Sequence, residues 1–151
     1  MEIERLVSIL VAMLLGGLVG LEREIAGKPA GLRTNMLVAG AAAFIVKLSD
    51  LLVERFVADV GQTALVRVDS LRVIEAVVTG VSFIGAGTII RRSEDLEVEG
   101  LTTAATLLFT AALGMSVALG APWLALGAAL AVVVTLRVVA MVEKWIPRKR
   151  V

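Results

Sequence analysis

Five apolar runs, each near the length of a bilayer crossing and set off by charges, constrain this chain more than anything else in it. They are Leu6–Leu21, a stretch from about Thr34 to Leu52, Val73–Ile90, Leu101–Leu119 and Ala121–Val142. A helix needs roughly 17–25 apolar residues to span the hydrocarbon. Lipid offers no partner to a free backbone N–H or C=O, so a lipid-facing crossing must be helical or part of a closed barrel. Runs of this length fit helices. The expectation is therefore an all-α, polytopic membrane protein: one domain over 1–151, a bundle of about five transmembrane helices near 5–21, 34–52, 71–90, 101–119 and 122–143. Composition agrees, because 58% hydrophobic residues and a mean hydropathy of +0.93 leave too few polar side chains to cover an aqueous surface. The first run is short enough for a secretory signal. Glu2 and Glu4 precede it, however, and Glu22-Arg23-Glu24 stands where a cleavage site belongs, so it reads as a retained helix.

The chain has no Cys and no His. That excludes disulfides, thiolate chemistry, Cys/His zinc sites and Ser–His–Asp catalysis. No paired intramembrane Asp is present either, and the chain is expected not to be an enzyme. A bound metal would be a hard cation on oxygen ligands, with Mg²⁺ or Ca²⁺ the natural choices. Fifteen Lys+Arg against fourteen Asp+Glu give a net charge of +1, so nucleic acid is not an expected partner.

The joints between runs carry their own signals. Gly120-Ala121-Pro122 places a helix-ending Gly before a helix-starting Pro, which predicts a tight helical hairpin. Trp123 and Trp145 flank the fifth run at a spacing that a helix turns into about 33 Å, matching two interfacial anchors. Asp69 or Ser70 is the expected cap of the third helix. The mixed stretch Glu54–Ser70 is expected to lie on the membrane surface as a short amphipathic helix or a loop. With five crossings, nine Lys/Arg gather at one side (Arg23, Lys28, Arg33, Arg91, Arg92, Lys144, Arg148, Lys149, Arg150) and five at the other (Arg5, Lys47, Arg55, Arg67, Arg72). Arg137 remains inside a run. The positive-inside rule then puts the N-terminus outside and the C-terminus in the cytoplasm.

Three groups of residues are candidates for function. Gly16 and Gly20 on the first helix, and Ala76 and Gly80 on the third with Gly85 and Gly87 following, have the small-residue spacing that lets helix backbones approach in lipid. On the third helix Arg72, Glu75, Thr79 and Ser82 recur every three or four residues, with Asp69 just before them, and share one face. A carboxylate in lipid is costly, so this face should turn into the bundle or toward water, as a structural ion pair or as a cation or proton site. Thr103, Thr106 and Thr110 form a milder stripe on the fourth helix. At the basic side, Glu22-Arg23-Glu24 leads to Gly31-Leu32-Arg33-Thr34, and Glu94, Asp95, Glu97 and Glu99 lead to Gly100-Leu101-Thr102-Thr103. Each copy ends in Gly-Leu-x-Thr opening a helix, as an internal repeat would. Helix N-termini among such charges can take an anion, and Glu22, Glu24 and the acidic loop 94–99 can take Mg²⁺. Glu22 and Glu75 are the named candidates for a Mg²⁺ ligand.

Together these motifs resemble the membrane domain of the MgtC/SapB proteins. The pieces are Leu15-Gly16 through Gly20-Leu21-Glu22-Arg23-Glu24, then Pro29-Ala30-Gly31-Leu32-Arg33-Thr34. Asp69 and Arg72 follow, leading to Gly80-x-x-Phe83-Ile84-Gly85-Ala86-Gly87, and last comes Gly100-Leu101-Thr102-Thr103-Ala104-Ala105-Thr106-Leu107. Ser70, Ser82, Glu75 and Leu108 depart from the usual pattern, and the soluble C-terminal domain of longer members is not expected here. The resemblance implies a multi-pass protein of the bacterial inner membrane, linked to magnesium homeostasis. It implies non-enzymatic action through helix–helix contacts with itself, a homodimer first, or with other membrane proteins such as the rotary ATP synthase. It implies a cytoplasmic cluster of Glu22, Arg23, Glu24, Arg33, Thr34, Thr102 and Thr103. The alternative is a Mg²⁺ or proton transporter or channel working along the polar face of the third helix.

Overall fold

The computed structural model of the chain describes residues 2–60, 70–91 and 98–145. Five helices follow in order: α1 (Glu2–Ile25), α2 (Leu32–Val60), α3 (Ser70–Gly87), α4 (Leu101–Ala118) and α5 (Pro122–Trp145). Between α3 and α4 a minimal antiparallel pair forms from β1 (Ile90–Arg91) and β2 (Val98–Glu99), with Ile90 opposite Glu99 and Arg91 opposite Val98. The architecture is an all-α membrane bundle. Among the described residues, α1, α2, α4 and α5 are long and apolar enough to cross a bilayer. The 18 residues of α3 give about 27 Å at 1.5 Å per residue, just under the hydrocarbon thickness.

Several ends differ from the sequence expectation. Helix α1 runs on to Ile25, so Glu22, Arg23 and Glu24 form its last turn instead of a break after it. A terminal turn tolerates charge, and Arg23 there complements the negative end of the helix dipole. Helix α2 continues past Leu52 to Val60, so the first part of the supposed surface link belongs to it; residues 61–69 lie outside the described residues. Helix α3 stops at Gly87, short of Ile90. Gly85 and Gly87 weaken the helix there, and the β-branched Thr88-Ile89-Ile90 that follow suit the extended backbone of β1.

The other joints match their signals. Helix α4 is closed by Gly120, two residues past its last, at φ 85°, with Ala121 N donating to Ser116 O at 3.0 Å and Gly120 N to Val117 O at 3.0 Å. These are the paired bonds of a Schellman ending, and α5 begins two residues later at Pro122. The same pair closes α1, where Lys28 N donates to Arg23 O and Gly27 N to Glu24 O. Trp123 and Trp145 project from opposite ends of α5, 82% and 88% exposed.

Helix α4 sits in the middle and touches all four others. The core it organises is built from small residues, among them Ala12, Ala39, Ala42, Ala43 and Ala111, because the backbones lie close together. A Cβ on Gly16 would stand 2.5 Å from Asn35 O, and one on Gly20 would stand 2.8 Å from Leu32 Cα. The sequence pair therefore marks the α1–α2 contact. Gly114 approaches Ala39 more closely still and joins α4 to α2. The outside of the bundle carries bulky apolar side chains such as Ile3, Leu14, Leu37, Phe44, Leu124 and Val134. That surface suits lipid and no aqueous phase.

Candidate functional site

Where α1 and α5 end and α2 and α4 begin, the bundle holds its buried polar groups. Glu22 and Arg23 are each only 4% exposed. Glu22 Oε2 accepts from Arg23 Nε at 2.6 Å, while Oε1 lies 3.4 Å from Arg137 Nε on α5. One carboxylate thus faces two guanidinium groups. Burying charges is costly unless each finds an opposite partner, and here the pairing also ties α1 to α5.

Two residues after Glu22, Glu24 Oε2 accepts from Leu32 N at 2.8 Å and caps α2 from across the turn. A Cβ on Gly31 would collide with that same oxygen at 2.8 Å. Asn35, fully buried, continues the network. Its Nδ2 donates to Ala30 O at 2.5 Å and to Gly31 O at 3.0 Å, and its Oδ1 accepts from Thr110 Oγ1 of α4 at 2.8 Å. Ala30 holds the left-handed φ of 57° that this turn requires. Two sets of bonds thus meet at this end: one ties α1 to α5 through Glu22, and the other ties the α1–α2 turn to α4 through Asn35.

Of the cluster expected at the basic end, Glu22, Arg23 and Thr103 are buried there, and Glu24 serves as a cap. Arg33, Thr34 and Thr102 are exposed at the same end. Thr106 bonds back to Thr102 O at 2.7 Å, whereas Thr110 reaches α2 instead. With both oxygens of Glu22 facing guanidinium nitrogens, a divalent cation there would meet two positive charges, so the expectation of Mg²⁺ on Glu22 does not fit this geometry. Among the described residues no three Asp, Glu, His or Cys side chains gather as a metal site. Residues 94–97 of the acidic loop, and Asp69, lie outside the described residues.

The third helix departs from expectation in direction. Arg72, Glu75, Thr79 and Ser82 do share a face, but it points out of the bundle, and all four are exposed. Val77 and Gly85 on the opposite side are buried instead, Gly85 with Ala104 beneath it, where an added Cβ would lie 3.3 Å from Ala104 Cβ. Gly80 and Gly87 touch nothing that a Cβ would reach within 4 Å, so neither packs against this chain's own helices. At the far end of the bundle, Arg5 and Glu54 pair at 2.5 Å and Lys47 lies 3.6 Å from Asp50, lining a shallow polar cleft with Glu4 and Ser8.

Sequence reasoning missed Asn35 as a site residue and left Arg137 without a role. The signals were faint but present: a lone amide one turn after Gly31, and a lone cation in an otherwise apolar crossing.

The model of the MgtC family matches residues 9–145. The chain belongs to the MgtC family. It is 33% identical over 142 residues to an uncharacterized Haemophilus influenzae protein, covering 94% of this chain and 58% of that one. It is 40% identical over 122 residues to YhiD of Escherichia coli (strain K12), which is named as a candidate magnesium transporter, covering 80% and 53%. It is 41% identical over 117 residues to MgtC of Salmonella typhimurium (strain LT2), covering 76% and 43%. The chain therefore spans about half the length of these curated relatives. No solved structure matches it. Membrane-crossing helices and this membership together make it a bacterial membrane protein. Within the MgtC family frame, the polar network at the end of α1 falls inside the matched region, Arg137 included.

Proposed function

We propose that this MgtC-family chain serves magnesium homeostasis from the bacterial inner membrane. It acts without catalysis, by helix–helix contact with itself or with other membrane proteins, its basic end in the cytoplasm. The link to magnesium rests on the likeness to YhiD. The mode of action rests on one observation: Glu75, Thr79 and Ser82 face away from the bundle. A conduction path through a single chain would turn these oxygens inward, toward α4, where a dehydrating cation needs several of them at once. Turned outward, they address a neighbour. At the basic end the buried charges are engaged among themselves, while Arg33 is exposed and available for contact.

The test uses a strain lacking the chain, complemented by the wild type or by Arg33→Ala, with growth followed in low Mg²⁺. Because Arg33 is exposed, its loss should leave protein level unchanged and growth impaired. Purified chain in liposomes, alone and as Glu75→Gln, should pass no saturable Mg²⁺ flux. Saturable flux that Glu75→Gln abolishes would establish the transporter reading in its place.

A further inference from the structure

We infer that Arg137 anchors the headgroup phosphate of an anionic phospholipid on the outward side of the α1–α5 seam, in the leaflet at the Trp145 end of α5. The inference goes beyond the proposed function and does not depend on it.

Arg137 is the only charged residue between Pro122 and Val142. It stands eight residues before Trp145, about 12 Å of helix rise. Around it on the surface of α5 lie Val134, Val138, Met141 and Val142, all exposed. A guanidinium among such side chains is costly in hydrocarbon unless an anion meets it.

The anion inside the bundle is shared. Glu22 holds Arg23 Nε on Oε2 at 2.6 Å, a short charge-assisted bond, and faces Arg137 Nε only at 3.4 Å. Glu24 is turned to the start of α2, where it accepts from Leu32 N. Two guanidinium groups around one carboxylate leave one positive charge in excess. Arg23 is buried, so the excess is met from the side of Arg137, whose side chain is 50% exposed. Nε is the atom nearest Glu22, and the two Nη groups carry the other N–H donors.

The anions at a lipid surface are the phosphodiesters of the phospholipids. Arginine matches a phosphate with paired N–H donors, and basic groups between transmembrane helices take anionic headgroups. A headgroup with an ammonium of its own brings no net charge to offset the excess. A lipid of the phosphatidylglycerol class is therefore selected over phosphatidylethanolamine or phosphatidylcholine. The long Arg137 side chain reaching toward the boundary, and local thinning of the bilayer, close the distance between them. With the phosphate at Arg137, the acyl chains run along α5 past Val134 and Leu130, both exposed.

The test places the full chain in phosphatidylcholine vesicles that contain either brominated phosphatidylglycerol or brominated phosphatidylcholine, whose acyl-chain bromines quench a nearby indole. Trp123→Phe and Trp145→Phe remove the two native indoles. On that background Val134→Trp reports from one turn before Arg137, and Leu124→Trp reports from the opposite end of α5. Quenching at 134 should show phosphatidylglycerol enriched about fivefold over its bulk fraction, and quenching at 124 should show no enrichment. Arg137→Gln should return position 134 to the bulk value, while helix content and quenching at 124 show that the bundle is kept. Added inorganic phosphate should leave the enrichment in place. Equal quenching by the two lipids at 134, a result that needs no Arg137 variant, would overturn the inference. So would an enrichment that survives Arg137→Gln, as a general pull by Arg148, Lys149 and Arg150 would give. An enrichment abolished by inorganic phosphate would do the same, since it would mark a site for a soluble anion.

Discussion

Glu22 is the residue on which most of the polar network depends. Removing a buried carboxylate that faces two guanidinium groups leaves both uncompensated, and breaking such a pair costs about 3–5 kcal/mol. Glu22→Ala should therefore sharply lower the unfolding midpoint in detergent, and Arg137→Ala, half exposed at the lipid edge, should lower it less. The double variant should lose less than the sum, because the two side chains share one interaction, 3.4 Å long. Strict additivity in that cycle would show that α1 and α5 are not coupled there. Asn35 gives a second test. Asn35→Leu strips partners from Thr110 Oγ1 and from the Ala30 and Gly31 carbonyls, and should cost about 1–3 kcal/mol. Thr110→Val should cost less, since the amide keeps its two backbone acceptors. Glu22 and Arg23 were legible in the sequence as charges at a helix end among glycines. Their partners were not. Periodicity orders residues along one helix, and nothing in it says that a carboxylate at position 22 meets a guanidinium at 137, or an amide at 35 a hydroxyl at 110.

At the scale of elements, glycines separate into those that hold helices together and those that face outward, and spacing alone does not tell them apart. Gly16 and Gly80 each belong to a pair of small residues four apart, yet one lies against Asn35 O and the other meets nothing within 4 Å. The difference comes from the rotation of each helix about its axis, which tertiary packing sets. It yields a paired prediction. An alanine at Gly114 would bring its Cβ into the carbonyl of Ala39, which is backbone and cannot rotate away, so α4 must move off α2. Such overpacking costs about 1–3 kcal/mol. Gly127→Ala on α5 meets nothing within 4 Å and should be neutral, or stabilising by up to about 1 kcal/mol through helix propensity. Thermal unfolding of both in one detergent checks the pair, and equal effects would contradict this packing. The hairpin at Gly120-Ala121-Pro122 and the Gly-Leu-x-Thr helix starts were legible because turn chemistry is local. The helix ends at Ile25, Val60 and Gly87 were less so, because apolarity marks where lipid begins and a helix can outrun it.

For the whole molecule, the pairings fix which ends lie together. Arg5 with Glu54 joins the start of α1 to the far part of α2, and Glu22 with Arg137 joins the end of α1 to the latter part of α5. Five helices alternating between those two ends place the turns after α1 and α3, and the close of α5, at one boundary. By their positions in the sequence, nine Lys and Arg residues are expected at that boundary against five at the other. The excess of positive charge is retained on the cytoplasmic side during insertion. A fluorescent reporter fused after Trp145 should therefore light up, and a phosphatase that works only in the periplasm should be active when inserted at Gly120. Arg91 and Arg92 test the cause. Replacing both with Ser narrows the bias but keeps its sign, so the fusions should hold their sides. Adding four Lys beside Gly120 of the otherwise unmodified chain removes the bias, and both reporters should then give mixed signals. If the unmodified chain instead shows phosphatase activity after Trp145, the charge argument fails for this bundle, and Arg33 no longer faces the cytoplasm.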